Sequence, residues 1–412
     1  MSDIRIKAEK RKISGKIVLT AGKSESNRVL MIRALSSDQF EIENLAIAKD
    51  TRTMRRLLNA KGVIKDVGPA GTTMRFLTAF YANTPGEFIL TGSERMKNRP
   101  IKILVDALRS LGAEITYMEK EGCPPLKING RKLAGGKIVV DGSVSSQYLS
   151  ALIMIAPTLQ NGLEMELTGK IASVPYLKMT LELIKDFGVD YNWEENVIRI
   201  PNTNYKGKSH IVEADWSAAS YWFQIVALAE EANIEIIGLK KKSLQGDSAI
   251  VQIFEQLGVL TTFHHDRIIL RKIPGFNLPS SLSYDFSDCP DVAQTLASTV
   301  AGLGIGGEFT GLESLRIKET DRIKAIKQEL KKFNVKVDVL GEDAIKIHPG
   351  KISDPKERIS TYDDHRVAMS IAPLCLCIED EIELEDEEVV AKSYPDYWKD
   401  LRRVGLVSEL IS

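Results

Sequence analysis

The feature of this sequence that most constrains its fold is a segment that recurs six times. Each copy has the pattern of an amphipathic helix that ends at Gly or Asn, followed by Val, Ala or Leu and the start of a short strand. Glycine is the usual residue after a helix, and the β-branched residues behind it favour strands. A single junction of this kind is typical of any α/β protein, but six indicate an internal repeat. The copies are marked by Gly62, Gly112, Gly188, Gly258, Asn334 and Gly405.

Four copies continue into a turn and a second strand, which predicts a β-hairpin after each of these helices. The first copy, "GVIKDVGPAGT", leaves no room for such a hairpin. Six repeats in 412 residues form two groups of three, and a chain of this length is expected to make about two domains. We therefore predict an α/β fold with two similar domains, each of three β-α-β-α-β-β units whose helices pack inward under a sheet.

The domain boundaries follow from counting the units. We predict one domain at residues 22–213, whose first unit lacks its hairpin, and a second domain formed by residues 1–21 with 214–412. The N-terminal strand would complete the last sheet of the second domain. The chain would then cross between the domains twice, which predicts an active site in the cleft between them.

Composition excludes several classes of protein. The net charge of −1 argues against a nucleic-acid or membrane-surface protein, although it allows a local basic pocket. The four cysteines form no C-x-x-C pair and the five histidines have no ligand spacing, so we expect reduced thiols, a cytoplasmic location and no structural metal. The N-terminus has no apolar signal region, and no apolar run is long enough to span a membrane.

The stretch "AGKSESNR" contains Gly-Lys-Ser, the end of a nucleotide-binding P-loop. A P-loop needs a glycine five residues before its Gly-Lys, and that position is Ile17, so the spacing excludes it. The pattern instead predicts a strand followed by a helix, with Ser24 as the N-cap. Lys23 and Arg28 at such a helix start favour an anion site, although a solvated basic helix start is equally consistent with this segment alone.

Similar clusters of Lys, Arg, Ser and Thr recur at predicted helix starts in both halves of the chain. In "RIKETDRIKAI", Lys318 and Arg322 are four residues apart and would share one face of a helix, with Glu319 between them. The carboxylates of Asp291, Glu319 and Asp364 among these cations favour enzyme chemistry on substrates with several anionic groups. The other clusters are "AGTTMRFL", "ERMKNRPIK", "DGSVSSQYL", "YDDHRVAM" and "AKSYPDYW".

Seven of these strings occur in one order along nearly the whole chain, and together they resemble the 5-enolpyruvylshikimate-3-phosphate synthase family. They are "GKSESNR", "AGTTMRFL", "RMKNRPI", "DGSVSSQ", "KETDR", "DDHR" and "AKSYPDYW". The resemblance implies the inside-out α/β fold of the enolpyruvyl transferases. It also implies transfer of the enolpyruvyl group of phosphoenolpyruvate to the 5-hydroxyl of shikimate 3-phosphate, by addition and then elimination of phosphate, without metal or organic cofactor.

The resemblance also implies residue roles. Asp291 corresponds to the base for the 5-hydroxyl, and Glu319 to the acid that protonates carbon, a role for which Lys23 competes. The adjacent cations favour the ionised form of Glu319, so its protonation would depend on burial or on the substrates. The implied shikimate 3-phosphate ligands are Lys23, Ser24, Arg28, Ser145, Ser146, Gln147, Ser173, Asp291 and Lys318. The implied phosphoenolpyruvate ligands are Lys23, Gly71, Arg99, Gln147, Arg322, Arg366 and Lys392.

Some positions depart from the family pattern, namely Ala21, Pro69, Phe76 and Ser314. The resemblance also implies that Gly71 keeps the pocket open to glyphosate, which in this family competes with phosphoenolpyruvate, and we expect a monomer. The nearest alternative is the sister enolpyruvyl transferase that acts on UDP-N-acetylglucosamine, but its loop cysteine has no counterpart in "GSERMKNRP". A non-catalytic anion-binding protein of the same fold is the second alternative, and the presence of Asp291, Glu319 and Lys23 argues against it.

Overall fold

The structure is a computed structural model that describes residues 2–143, 145–169, 171 and 173–411. Its contacts divide the chain into two compact units. We call Gly22–Val212 the N-terminal unit, and Met1–Ala21 together with Glu213–Ser412 the C-terminal unit.

The chain begins with two strands of the C-terminal unit, β1 (Asp3–Lys7) and β2 (Lys12–Val18), and then forms the N-terminal unit. The strands of that unit are β3 (Ile42–Glu43), β4 (Ile64–Asp66), β5 (Gly86–Thr91), β6 (Glu114–Tyr117), β7 (Leu126–Gly130), β8 (Gly136–Asp141), β9 (Leu163–Thr168), β10 (Asn192–Glu194), β11 (Val197–Ile200) and β12 (His210–Ile211). Its helices are α1 (Lys23–Leu35), α2 (Lys49–Leu58), α3 (Gly71–Ala82), α4 (Glu94–Lys97), α5 (Lys102–Ser110), α6 (Ser146–Ile155) and α7 (Val174–Asp186), with a 3₁₀ turn at Ala156–Thr158.

The rest of the C-terminal unit follows. Its strands are β13 (Glu231–Ile237), β14 (Val259–Phe263), β15 (Arg267–Lys272), β16 (Ser281–Asp285), β17 (Gly306–Thr310), β18 (Val337–Leu340), β19 (Ala344–Ile347), β20 (Ile382–Leu384) and β21 (Val407–Ile411). Its α-helices are α8 (Trp216–Leu228), α9 (Ile250–Glu255), α10 (Ala293–Gly302), α11 (Arg322–Lys332), α12 (His365–Ile371) and α13 (Tyr397–Arg403). Its 3₁₀ segments are Gly246–Ala249, Pro290–Val292, Glu313–Ile317, Ala372–Cys377 and Glu387–Lys392.

Four sheets share one topology, and it is the predicted β-α-β-α-β-β unit. In each sheet the first strand lies parallel to the second, and the last two strands form an antiparallel hairpin whose final strand pairs with the second. The hairpins lie where the sequence predicted them, after four of the repeated helices. The strand orders are β4-β5-β7-β6, β10-β11-β9-β8, β14-β15-β13-β2 and β16-β17-β19-β18.

The two remaining sheets are completed by distant strands. Strand β1 lies between β20 and β21 and pairs antiparallel with both, so the first part of the predicted N-terminal strand completes the last sheet. The second part is a separate strand, β2, which pairs with β13 in another sheet, so the single strand predicted here was wrong. In the N-terminal unit, β12 pairs in parallel with β3 to make a two-stranded sheet, and the chain runs from α2 to β4 without a hairpin. The first repeat is therefore the incomplete one.

The residues that mark the repeats have a common backbone conformation. Gly112, Gly188, Gly258, Asn334 and Gly405 all have positive φ, between 63° and 99°. In four of these copies the next residue's N–H bonds back to a carbonyl five residues earlier, as in Ala113 to Leu108 at 2.9 Å. This is the Schellman helix end, which turns the chain sharply toward the next strand. Gly62, at the copy without a hairpin, is absent from the positive-φ set.

The helices lie inside each unit and the sheets cover them. Helix α8 is buried along almost its entire length, whereas β8 alternates buried and exposed residues. Exposed apolar residues such as Val18 and Val139 mark the outer faces of the sheets. Because the inner helices are buried on every side, polar residues collect at their N-terminal ends, where backbone N–H groups need partners. In the described part of the chain, no helix combines the length and apolarity that crossing a bilayer requires.

Two local predictions were wrong. The N-cap of α1 is Gly22 and not Ser24, because the helix begins at Lys23, two residues earlier than a cap at Ser24 implies, just after the bridge between Ala21 and Ala214. Lys318 and Arg322 do not share a helix, because Asp321 caps α11 through a bond from the Lys324 N–H, so that α11 starts at Arg322.

Candidate active site

Arg322 is the centre of a buried ionic network in the C-terminal unit. Its side chain is 2% exposed, and it is the first residue of α11. The guanidinium donates to both carboxylate oxygens of Asp364, at 2.7 and 3.2 Å. It also donates to Asp291 at 3.0 Å and to Glu319 at 2.9 Å. One arginine therefore fixes the relative positions of three carboxylates, which the planar fork of its donors allows.

Asp291 lies in the 3₁₀ segment before α10 and is surrounded by cations. Lys318 Nζ lies 3.5 Å and Arg322 Nη1 3.0 Å from one carboxylate oxygen, and Arg366 Nη2 lies 3.1 Å from the other. Burial alone raises the pKa of this carboxyl, but the three cations together hold its pKa well below the usual range. Asp291 is therefore ionised near neutral pH.

Glu319 forms a second carboxylate centre beside the first. It accepts from Arg322, and Lys392 Nζ lies 2.7 Å from its other oxygen. Lys392 comes from the last 3₁₀ segment, far along the chain. The predicted residues Asp291, Lys318, Glu319, Arg322, Arg366 and Lys392 are thus joined in one network.

The "DDHR" segment supplies Asp364 and Arg366 to this network. Asp364 is fully buried and caps α12 by accepting from the Arg366 N–H at 2.9 Å. The two residues before it, Tyr362 and Asp363, have φ of 56° and 54°. Consecutive left-handed residues other than glycine are uncommon, and such backbone strain concentrates at functional sites.

Asp247 belongs to this region, although the sequence motifs do not include it. It is 3% exposed and accepts a hydrogen bond from Ser217, and the same hydroxyl lies 3.4 Å from Arg366 Nη2. Burial, reinforced by the charges of Asp291 and Asp215 and opposed by Arg366, raises the pKa of Asp247 to about 7. No spacing pattern could indicate this residue, because only the fold brings it to Arg366.

Replacing Asp247 with Asn is expected to make the protein less sensitive to alkaline pH. A carboxyl whose pKa is raised on folding stabilises the fold below the unfolded pKa, and that stabilisation is lost as pH rises through about 7. Between pH 5 and pH 8 the free energy of unfolding of the wild type should therefore fall by about 2–3 kcal/mol more than that of the variant. Urea unfolding of both proteins at these pH values measures the difference. A difference that does not change with pH would contradict the expectation.

Arg28 organises the predicted anion site of the N-terminal unit. Its guanidinium is 2% exposed and donates to Thr180 Oγ1 at 2.7 Å, to Ser150 Oγ at 3.0 Å and to the Ser24 carbonyl at 2.9 Å. Phe76 lies beneath it, 5.4 Å from ring centroid to Cζ. No carboxylate among the described residues lies within ion-pair distance of Arg28. Burial lowers its pKa to about 10, against the smaller raising effects of Tyr176 and Glu25. A buried cation whose direct contacts are neutral oxygens is suited to bind an anion.

Lys23 and Gly71 lie at the first residues of α1 and α3. Lys23 Nζ is 3.6 Å from Asp50, whose carbonyl accepts from Thr73 of α3 at 3.2 Å. A Cβ on Gly71 would lie 2.6 Å from Nη1 of Arg99, so the absence of a side chain makes room for that guanidinium. These contacts bring the starts of α1 and α3 to the same region of the N-terminal unit.

The predicted serine cluster stands at the start of α6. Ser145 is the N-cap and accepts from the Gln147 N–H, and Gln147 Nε2 donates to Thr72 Oγ1 at 3.1 Å. Ser146 is the first residue of α6 and is buried. Ser173 stands before α7 with φ of 52°, another left-handed residue. The α6 start is thus tied to α3. Within the described residues, the Ser173 side chain makes no cap bond to α7.

Comparison with known proteins confirms the resemblance seen in the sequence. The profile of the family described as EPSP synthase (3-phosphoshikimate 1-carboxyvinyltransferase) matches residues 7–66 and 55–401. A 3-phosphoshikimate 1-carboxyvinyltransferase from Bacteroides fragilis (strain YCH46) is 46% identical over 395 residues, which cover 95% of this chain and 96% of the relative. One from Histophilus somni (strain 2336) is 36% identical over 429 residues, which cover 96% of this chain and 97% of the relative.

A solved structure of EPSP synthase from Acinetobacter baumannii superposes over 100% of both chains with a TM-score of 0.82. At 21% identity this likeness shows the shared fold. It agrees with the topology of six sheets and inward-packed helices described above. With the family profile and a relative that is 46% identical over almost the whole length, the chain belongs to the EPSP synthase (3-phosphoshikimate 1-carboxyvinyltransferase) family.

Proposed function

We propose that this chain is a 3-phosphoshikimate 1-carboxyvinyltransferase, which transfers the enolpyruvyl group of phosphoenolpyruvate to the 5-hydroxyl of shikimate 3-phosphate in the shikimate pathway. The observation that carries the proposal is the ionised carboxylate of Asp291 within reach of Lys318, Arg322 and Arg366. Such a group can accept a proton while the cations around it bind anionic substrates. Acid, base and cations are all side chains of this protein, so the proposed reaction needs no metal or organic cofactor.

The chemistry assigned to the C-terminal unit is proton transfer. Asp291 accepts the proton of the 5-hydroxyl as its oxygen bonds to C2 of phosphoenolpyruvate. Glu319 protonates C3 of phosphoenolpyruvate, with Lys23 as the alternative acid. The adduct then loses phosphate while a C3 proton returns to the group that donated it, which restores the double bond. The charge left by the departing phosphate is stabilised by cations such as Arg322 and Lys392.

The ion pairs suggest how substrates activate these groups. In the free protein the cations keep Asp291 ionised and make it a weak base. When the phosphate and carboxylate groups of the substrates bind to Lys318, Arg322 and Arg366, they compensate the charges that depress the pKa of Asp291. The same compensation at Arg322 and Lys392 would allow Glu319 to take up a proton. Binding of both substrates therefore prepares the base and the acid together.

We assign the substrate contacts as the sequence predicts. Shikimate 3-phosphate is bound by Lys23, Ser24, Arg28, Ser145, Ser146, Gln147, Ser173, Asp291 and Lys318. Phosphoenolpyruvate is bound by Lys23, Gly71, Arg99, Gln147, Arg322, Arg366 and Lys392. Arg28 supports the first assignment, because it is a buried cation whose donors face only hydroxyl and carbonyl oxygens among the described residues. Both units would then contribute residues to one reaction.

The experiment that tests the function mixes the purified chain with shikimate 3-phosphate and phosphoenolpyruvate and follows phosphate release. We expect release with this pair and formation of the enolpyruvyl ether at the 5-oxygen, detected by NMR. The control replaces shikimate 3-phosphate with UDP-N-acetylglucosamine. Release with the nucleotide sugar alone would overturn the proposal in favour of the sister transferase, and release with neither would favour a non-catalytic binding protein.

We further propose that glyphosate competes with phosphoenolpyruvate, because Gly71 leaves the region beside Arg99 free of a side chain. Inhibition should weaken as the phosphoenolpyruvate concentration rises, and inhibition that is independent of it would contradict the idea.

A cytoplasmic location and a monomeric state complete the proposal. The four cysteines, all free thiols, are consistent with a reducing compartment.

A further inference from the structure

Arg75 is a buried cation that the family motifs do not single out. It lies on α3, one turn after Gly71, and is 5% exposed. Its Nε and Nη1 are buried and make no hydrogen bond to any residue in the described part of the chain. A guanidinium is always charged, and leaving its donors unpaired in the interior is costly. Unsatisfied buried donors of this kind need an explanation, and a missing ligand supplies one.

The position of the guanidinium indicates where that ligand binds. A Cβ built on Gly71 would lie 2.6 Å from Nη1 of Arg75 and 2.6 Å from Nη1 of Arg99. The two cations therefore meet at the same small space beside the Gly71 backbone. Like charges so close repel each other, and an anion between them would remove the repulsion. The space also adjoins the N-terminus of α3, a helix of 12 residues, where free backbone N–H groups favour negative charge.

We infer that Arg75 is a further ligand of the phosphate group of phosphoenolpyruvate, which it binds together with Arg99 and the N-terminus of α3. A phosphate has enough acceptor oxygens to receive bonds from two guanidinium groups and a backbone N–H at once. The identity of the anion rests on the proposed function, but the anion site itself does not. The sequence carried a signal for it, since a four-residue spacing in "AGTTMRFL" places Arg75 above Gly71 on one helix face.

A purely structural role is the competing explanation. The guanidinium of Arg75 stacks on Tyr148, 5.6 Å from the ring centroid, and the Tyr148 hydroxyl donates to the Pro100 carbonyl. Arg75 could therefore hold the Arg99 segment through Tyr148 without contacting any ligand. The two roles differ in which substrate they affect. Stacking on Tyr148 would position the loop for both substrates, whereas an anion ligand acts on phosphoenolpyruvate alone.

The test compares Arg75→Met and Arg75→Lys with a matched control, Arg109→Met. Arg109 also stacks on a tyrosine of the same unit, with Cζ 5.1 Å from the Tyr117 ring, and donates to the Ile115 carbonyl away from the proposed site. For Arg75→Met we expect the KM of phosphoenolpyruvate to rise about 10- to 100-fold, the loss typical of charge-assisted hydrogen bonds, with less than a threefold change for shikimate 3-phosphate. Arg75→Lys should recover part of the loss, and the control should match the wild type.

Calorimetry with inorganic phosphate separates this inference from the proposed function. Wild type should bind phosphate more tightly than Arg75→Met, whether or not the chain transfers an enolpyruvyl group. The inference is overturned if Arg75→Met leaves both the KM of phosphoenolpyruvate and phosphate binding unchanged. Equal losses for the two substrates would also overturn it, in favour of the structural role. Melting curves and retained shikimate 3-phosphate binding show that the variant is folded.

Discussion

Replacing Asp291 with Asn is expected to lower kcat by about 10²- to 10⁴-fold, the range contributed by a positioned general base. Asparagine keeps the shape of the side chain but cannot accept the proton of the attacking hydroxyl. The cations Lys318, Arg322 and Arg366 would lose one anionic neighbour, so the KM of phosphoenolpyruvate should not rise. Steady-state kinetics with each substrate varied in turn measure both quantities.

The matched control for this prediction is Asp338→Asn. Asp338 is an aspartate of β18 that pairs with His348 at 2.7 Å and is 42% exposed, so its loss should leave kcat within twofold of the wild type. Single-turnover experiments with Asp291→Asn should show that shikimate 3-phosphate still binds while adduct formation is slow. Near-normal turnover in Asp291→Asn would show that the base is another group and would contradict the proposed mechanism.

The fold could be predicted from sequence because its signals are local. A residue with left-handed φ ends each helix and directs the chain into the next strand. Glycine or asparagine at that position can be recognised in the sequence. The last sheet was also predictable as the place of the strand that remains before the first unit, although only its first part, β1, lies there and β2 joins another sheet. The start of α1 was not, because Gly22 and Ser24 are both acceptable N-caps and tertiary contacts at Ala21 decide between them.

The site was predicted only where a motif carried it. Lys318 and Arg322 do lie close together, because both contact Asp291, but they do not share a helix face. Asp247 approaches Arg366 through Ser217, and these residues come from segments with no common pattern. Arg75 lies inside the motif "AGTTMRFL", but its unsatisfied donors can be recognised only when the burial of the side chain is known. The sequence indicates which residues can bind anions. Which of them are left without a partner in the folded protein depends on contacts between distant segments.

Replacing Arg322 with Met is expected to be the most damaging single change in the C-terminal unit. The guanidinium satisfies Asp364, which is fully buried, and also contacts Asp291 and Glu319. Removing one partner of a buried ionic network leaves uncompensated charge, so the free energy of unfolding should fall by about 3–5 kcal/mol. Activity should be lost as well, because Asp291 and Glu319, the proposed base and acid, lose the group that fixes their separation.

Two further variants separate charge from geometry. Arg322→Lys keeps the positive charge but not the bidentate fork, so it should recover part of the stability and little of the activity. Arg199→Met is the matched control, since Arg199 is 46% exposed and pairs with Glu164 at 2.9 Å, and its loss should cost at most about 1 kcal/mol. Urea unfolding gives the stabilities, and kcat/KM for phosphoenolpyruvate gives the activity. If Arg322→Met were as stable as the control, the network would not hold its carboxylates in place through Arg322, and the acid and base would owe their positions to the backbone alone.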